Sequence, residues 1–349
     1  MAQIKVLFTG ATGYIGGSIL AQFLSGGQVT DGFKISVLVR NDDRARSFAS
    51  AGVKVYTMND LDDSEAIKHA ASENDIVIHT ASGYHTASAR SLIEGLGSRK
   101  RQNPQAEIYY IHTSGTSNLA DYPISKRYLE SRAFSDKDQD IHSYLKMRED
   151  IEPYPQRTTD LTVIQTGKEQ GVPTTIIMSP TIYGIGTGKF NRLSIQYPIQ
   201  MKESIRAGQA EYVGDGEGVW DFVHVADLAM LYETVFLDWV SGRRIAPVGE
   251  NGIMFSATGT FKWKEVADKI GKIGSELGKL TTPVARSISL EEAARKWTGG
   301  DEQLCELGFA SNSRTRADLA KDLGWRPSKT KDDWELSIRE EFQEFLKQA

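Results

Sequence analysis

A glycine-rich turn near the beginning of the chain constrains the fold more than any other feature. An apolar run at residues 4–8 leads directly into the turn, which contains Gly10, Gly13 and Gly16, and a helix-periodic stretch follows at residues 15–24. In a strand–turn–helix unit, such glycines allow a sharp turn, a close approach of backbone amides to a pyrophosphate, and tight packing of the helix on the strand. The helix N-terminus adds unpaired N–H groups and the positive end of its dipole. The segment therefore predicts a dinucleotide-binding turn.

The composition excludes several classes of function. The chain has 349 residues and a formal net charge of −5, so a nucleic-acid backbone is not an expected partner. The single cysteine, Cys305, excludes an internal disulfide framework and a cysteine-cluster metal site, and the six histidines lack metal-ligand spacing. No apolar run approaches the length of about 18 residues that a membrane span needs, and no signal-like segment precedes the first strand. We therefore expect a cytoplasmic protein that binds no metal and no membrane.

Short apolar segments alternate with helix-periodic segments through the first half of the chain. After the first strand, the pattern predicts strands at residues 34–39, 53–58, 75–79, 107–112 and 174–178. Helices are predicted between them, for example at residues 64–71 and 87–101. Strands joined by helical crossovers form a parallel sheet that is covered on both faces and binds ligands at the carboxyl ends of its strands. The fold class is therefore α/β, with a doubly wound parallel (Rossmann) sheet.

One segment interrupts this alternation. Residues 115–156 are polar and contain three prolines, and the pattern predicts a long loop with one helical piece at residues 134–148. Long insertions in compact domains are often functional. Because the segment lies between two strands whose ends face the expected ligand site, we interpret it as a lid or a wall of the substrate site.

The second half of the chain is more irregular. Helices are predicted at residues 194–206, 225–239, 262–277 and 331–346. We expect residues 1–180 to form the cofactor-binding domain, to which a strand and a helix return from about residues 222–260. Residues 181–349 are expected to form a smaller, mainly helical substrate-binding domain.

The chain resembles a known family along nearly its whole length. The matching segments are TGATGYIGG at 9–17, Asp60-Leu61, DIVIHTAS at 75–82, HTSG at 112–115, SPTIYGIGTG at 179–188, DFVHVADLA at 221–229 and LGWRPS at 323–328. In these motifs and their order, the chain is similar to the extended and atypical short-chain dehydrogenase/reductases, the epimerase/dehydratase-like group. The resemblance implies a Rossmann fold and a nicotinamide cofactor.

The resemblance also implies which residues bind that cofactor. Residues of the glycine-rich turn would hold the pyrophosphate, namely Gly10, Thr12, Gly13, Tyr14, Ile15 and Gly16. Asp60 and Leu61 would contact the adenine edge. The ribose and pyrophosphate would lie along Thr80, Ala81 and Ser82, and the nicotinamide would approach Pro180, Thr181 and Ile182.

The end of the second strand indicates which nicotinamide cofactor is bound. An acidic residue there would accept hydrogen bonds from the ribose 2′-OH of NAD. This chain instead has Arg40, with Arg44 and Arg46 nearby. The planar arginine fork matches phosphate oxygens, so we predict NADP(H). A solvated basic loop is the alternative interpretation.

The catalytic residues are harder to identify. The resemblance implies a Tyr and a Lys four residues apart on one helix, which exchange a proton with the substrate oxygen, and a Ser or Thr at the end of the fifth strand. Ser114 fits the third role, but the chain has Glu152 and Gln156 near the positions where the Tyr and the Lys are expected. Tyr154 is close to them, with Arg157 as the nearest cation. We predict Tyr154 and Ser114 as the catalytic residues.

Two other tyrosines are alternatives. Tyr122 precedes Lys126 by four residues, although a proline lies between them. Tyr144 and Arg148 also have helical spacing. A missing Tyr-Lys pair is typical of atypical members of the family.

The segment at 221–229 carries a substrate clue. Nucleotide-sugar members of the family usually have an Arg directly before its Asp-Phe pair, where this chain has Trp220. The flat apolar side chain argues for an aromatic or lipophilic substrate, although it is also interpretable as a packing residue. Asn191 and Arg192 are candidates for contact with a polar group of the substrate, and His224 is expected to hold local backbone.

Three functions remain open. We expect an NADPH-dependent oxidoreductase that acts on a small, aromatic or lipophilic carbonyl or hydroxyl compound. The alternatives are a nucleotide-sugar epimerase or dehydratase and a non-catalytic regulator that senses NADP(H), the latter favoured by the missing Tyr-Lys pair. The expected partner is a small-molecule substrate, and the chain is expected to be a monomer or a homodimer.

Overall fold

The computed structural model describes residues 3–25, 32–40 and 42–348. Its strands are β1 (Ile4–Thr9), β2 (Phe33–Val39), β3 (Lys54–Thr57), β4 (Ile76–His79), β5 (Tyr109–Gly115), β6 (Phe134–Ser135), β7 (Thr174–Ser179), β8 (Thr181–Tyr183), β9 (Glu211–Val213), β10 (Val219–His224), β11 (Ile253–Phe255), β12 (Gly259–Lys262), β13 (Arg286–Ile288) and β14 (Thr315–Arg316). Its helices are α1 (Tyr14–Ser25), α2 (Asp42–Ala49), α3 (Ser64–Ser72), α4 (Thr86–Gln102), α5 (Ile141–Ile151), α6 (Pro155–Gln170), α7 (Gln196–Ala207), α8 (Val225–Val240), α9 (Trp263–Glu276), α10 (Leu290–Trp297), α11 (Glu302–Phe309), α12 (Asp318–Asp322) and α13 (Lys331–Gln348).

A parallel sheet with the strand order β3-β2-β1-β4-β5-β7-β11 forms the centre of the fold. Val6 of β1 pairs with Ile35 of β2 on one side and with Ile76 of β4 on the other. The chain order of the strands reverses between β1 and β4, and ligands bind at this switch point in doubly wound sheets. The predicted fold class is confirmed, and every strand predicted in the first half of the chain is present.

The first hydrophobic core covers both faces of this sheet. Phe8 of β1 is fully buried and meets Phe23 of α1 edge-on, with ring centroids 5.2 Å apart. Phe23 in turn meets Phe236 of α8 at 5.0 Å. Edge-to-face aromatic pairs of this kind stabilise a core beyond their buried area. Because α8 and β11 follow residue 180 and still join this core, the chain returns to the sheet after first leaving it.

A second hydrophobic core is built by the later part of the chain around three aromatic residues. Trp263 and Trp334 are fully buried, and the Phe261 ring lies 5.0 Å from the first indole and 5.6 Å from the second. Helices α7, α9, α10, α11 and α13 surround these residues together with the small sheet β12-β10-β8. The irregular pattern after residue 180 thus folds into a mainly helical region with its own apolar centre.

The segment at 115–156 differs from its prediction. The predicted helix at residues 134–148 begins too early, because Phe134 and Ser135 pair with β14 and Asp140 caps α5 by accepting from the Ser143 amide at 2.9 Å. Asp136 accepts hydrogen bonds from the backbone of β11 and α12. These bonds fix the middle of the segment to the edge of the sheet that β11 forms. Only the two ends of the segment reach the cavity described below, so its middle does not form a lid.

Three further features of the described residues bear on the membrane, metal and cysteine predictions. None of its helices is both long enough and apolar enough to span a bilayer. Its His, Cys, Asp and Glu side chains form no group of three or more that could hold a metal ion. Cys305 is buried, and burial raises the pKa of its thiol to about 12, which disfavours the reactive thiolate.

Candidate functional site

A cavity of about 550 Å³ lies where the carboxyl ends of β1, β4 and β5 meet the second core. The glycine-rich turn and the segments after β4 and β5 form one side of it. The opposite side includes Ile199, Trp220, Trp297 and Phe309 of the second core, and Leu304 of α11. The cavity therefore joins the switch point of the sheet to an apolar wall.

The glycine-rich turn is packed so tightly that it excludes larger residues. Gly10 has a φ of +71°, and a Cβ atom at this position would lie 2.5 Å from the carbonyl carbon of Thr80. A Cβ atom at Gly16 would collide with the Thr80 side chain and with the backbone of Gly10. Gly13 closes the turn by donating its amide to the Gly10 carbonyl at 2.8 Å. The turn thus brings the start of α1 against the end of β4 with no room for side chains between them.

The first turn of α1 has the properties of an anion site. The amides of Tyr14, Ile15 and Gly16 have no acceptor within the described residues, as expected for the first turn of a helix. This turn contains no acidic residue, and Gly13, Tyr14 and Ile15 line the cavity. The unpaired amides and the positive end of the helix dipole therefore fit a bound pyrophosphate.

Most of the residues predicted to contact the ribose, the pyrophosphate and the nicotinamide line the same cavity. Thr80, Ala81, Ser82, Pro180 and Ile182 line the cavity. The Thr181 side chain is instead buried where β8 pairs with β10. Thr12 lies outside the cavity and accepts from the Arg44 guanidinium at 3.2 Å.

A second cleft, of about 870 Å³, lies beside the end of β2. Its walls contain Arg40, Arg46 and Asn59, and neither Asp60 nor Leu61 lines it. Arg40 is exposed and has no hydrogen-bond or ion-pair partner in the described part of the chain, whereas Arg46 forms an ion pair with Asp43. Asp60 is exposed beside the cleft, and Leu61 packs against the first core.

Only one of the three candidate tyrosines reaches the cavity. Tyr154 directly precedes α6 and lines the cavity, whereas Tyr122 and Tyr144 are buried elsewhere. The Tyr122 hydroxyl accepts from Gln303 at 3.1 Å, and Lys126 follows it in a turn rather than on a helix. The literal Tyr-Lys spacing therefore does not form a catalytic pair.

The Tyr154 hydroxyl belongs to a row of polar groups that the sequence did not reveal. It lies 3.0 Å from the hydroxyl of Tyr84 and donates to Ser117 at 3.2 Å. Ser117 in turn donates to the Gln156 side-chain oxygen at 2.7 Å. All four side chains line the cavity. Tyr84 and Ser117 each lie two residues after a family motif, at 75–82 and at 112–115 respectively. This position was the only indication in the sequence that they belong to the site.

Ser114, the other residue predicted to be catalytic, bonds to Asp160 and Asn118. Its hydroxyl donates to the Asp160 carboxylate of α6 at 2.6 Å and accepts from the Asn118 amide at 3.2 Å. Ser114 has no hydrogen bond to Tyr154, which instead bonds to Ser117. Both residues predicted to be catalytic therefore line the cavity without bonding to each other. Ser114 still lines the cavity through its remaining exposed surface.

Within the described ranges, no cation contacts the Tyr154 hydroxyl. Gln156 occupies the position at which the resemblance implies Lys, and it is neutral. The Arg157 guanidinium lies 5.7 Å from the Tyr154 ring centroid, but it donates to the carbonyls of Asn118 and Glu152. Burial, reinforced by the neighbouring Tyr84, raises the pKa of Tyr154 well above its usual range. The phenol is therefore protonated at neutral pH.

The floor of the site is a buried polar cluster. The His79 and His112 rings stack with centroids 5.2 Å apart, and the His112 Nε2 lies 3.5 Å from an Asp160 oxygen. Burial raises the pKa of Asp160 to about 8 and lowers the pKa of both histidines. The cluster thus keeps its histidines neutral beneath the cavity.

Two residues outside the cofactor region have the contacts foreseen for them. His224 caps α8 by accepting from the Ala226 amide at 3.1 Å, so it holds local backbone. Trp220 both lines the cavity and packs at 5.2 Å against Trp263 of the second core. Its substrate and packing interpretations are therefore compatible.

Comparison with known proteins identifies relatives along the chain. A model of the NAD dependent epimerase/dehydratase family matches residues 6–244. The oxidase ucsJ of Acremonium sp is 26% identical over 345 residues, which cover 93% of this chain and 92% of that protein. The ketoreductase azaE of Aspergillus niger is 36% identical over 92 residues, which cover 23% of this chain and 25% of that protein.

A solved structure confirms the likeness of the fold. The dTDP-glucose 4,6-dehydratase DesIV of Streptomyces venezuelae, with NAD and TYD bound, has a TM-score of 0.66 and 16% identity. The match covers 98% of this chain and 97% of that chain. The family match spans well over half of the sequence and includes the glycine-rich turn. The chain belongs to the NAD dependent epimerase/dehydratase family.

Proposed function

We propose that the protein is an NADPH-dependent oxidoreductase that acts on a small, aromatic or lipophilic carbonyl or hydroxyl compound. One observation carries the proposal: a single cavity contains an anion-binding helix N-terminus, a group of hydroxyl side chains and an apolar wall. When bound, a nicotinamide supplies a hydride to a carbonyl carbon or accepts one from a carbinol. In this proposal residues 1–180 bind the cofactor and residues 181–349 bind most of the substrate.

The preference for NADP(H) rests on the cleft beside β2. Arg40 there is exposed and has no ion-pair partner among the described residues, and its guanidinium offers a bidentate donor to a 2′-phosphate. Arg44, which reaches the glycine-rich turn through Thr12, adds positive charge on the same side. The acidic residue that would bind a ribose 2′-OH at the end of β2 is missing.

The preference for an apolar substrate rests on the wall opposite the glycine-rich turn. Trp220, Trp297 and Phe309 supply rings, and Ile199 and Leu304 supply aliphatic surface. Such a wall favours a flat apolar group by burying its surface. Trp220 also stands where nucleotide-sugar members usually have an Arg, so the wall lacks a charge for a sugar-nucleotide phosphate.

The hydroxyl groups supply the proton that must accompany the hydride. Tyr154 and Tyr84 are phenols, and both line the cavity. Tyr154 was predicted as the catalytic phenol, and Ser117, not Ser114, is the serine that bonds to it. A positioned acid of this kind contributes about 10²–10⁴-fold to the rate.

A second candidate function is a non-catalytic sensor of NADP(H). It is favoured by the absence of a cation at the Tyr154 hydroxyl and by the raised pKa of that phenol. Such a protein would bind the cofactor and pass the signal to a partner without turnover.

The test is oxidation of NADPH by the full chain in the presence of aromatic and aliphatic aldehydes and ketones. NADPH affinity is measured in parallel by quenching of tryptophan fluorescence. We expect turnover with aromatic ketones or aldehydes and little with NADH. Binding without turnover of any carbonyl compound would support the sensor, and turnover of a nucleotide sugar would support an epimerase or dehydratase.

A further inference from the structure

The row of hydroxyls at the cavity has a definite hydrogen-bond direction. The Gln156 side-chain oxygen can only accept, so Ser117 donates its single proton to it at 2.7 Å. The contact between Ser117 and Tyr154, at 3.2 Å, must then be donated by Tyr154. Because Tyr154 has no second proton, the contact of 3.0 Å with Tyr84 is donated by Tyr84. The row therefore begins at Tyr84 and ends at Gln156.

The two phenols both line the cavity, but the exposed fraction of the two residues differs. Tyr154 is 2% exposed, and its hydroxyl is used on both sides. Tyr84 is 45% exposed, and its ring meets that of Tyr154 edge-on with centroids 5.9 Å apart. Rotation about the bond from the Tyr84 ring to its oxygen redirects the proton to an incoming acceptor. Tyr154 cannot do the same without giving up its bond to Ser117.

We propose that Tyr84 is the catalytic acid that touches the substrate oxygen, and that Tyr154 is a positioning residue that holds Tyr84. This inference rests on the proposed reductase function. The proton moves from the Tyr84 oxygen to the carbonyl oxygen, the C=O π pair becomes the new O–H bond, and the carbon receives the hydride from the nicotinamide. Because the Tyr84 phenolate is a stronger acceptor than the Ser117 hydroxyl, the Tyr154 hydroxyl then turns from Ser117 to donate to it, and solvent that reaches the exposed side chain reprotonates the Tyr84 oxygen.

The surroundings of the two phenols agree with this division of roles. Burial raises the pKa of both, and that of Tyr154 more strongly, with Tyr84 and Tyr122 as the nearby phenols. The ionisable groups near the pair are Asp160, which bonds to Ser114 and Asn118 and whose pKa burial raises to about 8, and Arg157, beside the Tyr154 ring. The phenol pair with its serine thus replaces the missing Lys as support for a phenolate.

The kinetic test compares Tyr84→Phe with Tyr154→Phe, and uses Tyr212→Phe as a control because Tyr212 lies on β9 outside the cavity. We expect Tyr84→Phe to lower kcat for the best carbonyl substrate by about 100-fold without weakening NADPH binding. Tyr154→Phe should lower kcat by about 10-fold and move the basic limb of the pH profile upward, because the phenolate loses its donor. Near-normal turnover by Tyr84→Phe, with loss of turnover in Tyr154→Phe, would overturn the proposal.

A second measurement needs no substrate. Tyrosine labelled with ¹³C at Cζ is incorporated into the full chain, and the two signals are assigned from the Phe variants. With and without NADP⁺, we expect Tyr84 to ionise at a lower pH than Tyr154, and its ionisation to shift upward in Tyr154→Phe. Ionisation of Tyr154 before Tyr84 would overturn the proposal. If the wild type reduces no carbonyl compound, the reductase function fails, and the order of ionisation still decides which phenol gives up its proton first.

Discussion

The Ser114 hydroxyl donates its proton to the Asp160 carboxylate over 2.6 Å, and both side chains are buried where β5 meets α6. Asp160 also accepts from the Asn118 amide at 2.6 Å and faces His112. Ser114 therefore links the end of a central strand to the polar cluster beneath the cavity. This relationship assigns Ser114 an anchoring role and leaves the contact with Tyr154 to Ser117.

Ser114→Ala and Ser117→Ala are expected to separate these two roles. Ser114→Ala removes a donor from a buried carboxyl group and should lower the free energy of unfolding by about 1–3 kcal/mol. Ser117→Ala removes the acceptor of Tyr154 and should lower kcat several-fold with a smaller loss of stability. Denaturant unfolding and steady-state kinetics measure both effects. Wild-type stability and lost turnover in Ser114→Ala would instead make Ser114 catalytic.

Arg40→Ala is expected to weaken NADPH binding far more than NADH binding. Loss of a charge-assisted hydrogen bond of about 1.5–3 kcal/mol corresponds to roughly 10–100-fold in Kd. Arg46→Ala is the matched control, because Arg46 lines the same cleft but is already paired with Asp43. Titration of tryptophan fluorescence with each cofactor measures the effect. Equal losses for NADPH and NADH would contradict the assignment of the cleft to the 2′-phosphate.

Ile199→Ala is expected to raise KM for aromatic carbonyl compounds by about 10-fold, because the removed carbons belong to the apolar wall. Ile205→Ala is the control on the same helix, since Ile205 packs on the second core and does not line the cavity. Both variants should lose stability, and only the first should change KM. An unchanged KM in Ile199→Ala would show that the substrate does not contact this wall.

The buried carboxyl group of Glu341 is expected to make the free energy of unfolding depend on pH. It is fully buried, accepts from the Gly184 amide at 2.7 Å and from Ser194 at 2.9 Å, and burial raises its pKa to about 8. A carboxyl group whose pKa is raised by folding stabilises the protein fully below its unfolded pKa, and this stabilisation is lost as the pH rises through about 8.

The Tm of the wild type should therefore decline between about pH 5 and pH 8. Glu341→Gln should reduce this decline by roughly 2–4 °C at the upper end of the range. The amide keeps an acceptor for Gly184 and presents a donor to the Ser194 hydroxyl. Glu340→Gln is the control, because Glu340 is exposed on the same helix. Differential scanning calorimetry across this range measures Tm, and parallel declines in the wild type and Glu341→Gln would refute the prediction.

The strands of the central sheet could be predicted because the patterns that indicate them involve residues close together in the sequence. Gly10 and Gly16 are required because a Cβ atom at either position would collide with Thr80, so a few neighbouring residues were enough to predict the turn. The buried strands were likewise visible as short apolar runs between helix-periodic segments. The helix at 134–148 was misplaced because Phe134 pairs with a strand nearly two hundred residues away along the chain. No local pattern reports such a pairing.

The amino-acid sequence alone determined the α/β class, the glycine-rich turn and the basic end of β2, because each depends on neighbouring residues. Only the tertiary structure decided that Tyr154 meets Ser117 and Tyr84, and that Ser114 faces Asp160. Ser114 ends β5 and Ser117 lies in the short 3-10 turn after it, so three residues along the backbone carry their hydroxyls to different neighbours. The two partners are Asp160 of α6 and Tyr154, which directly precedes α6, and only the packing of α6 against the end of β5 brings them within hydrogen-bond distance.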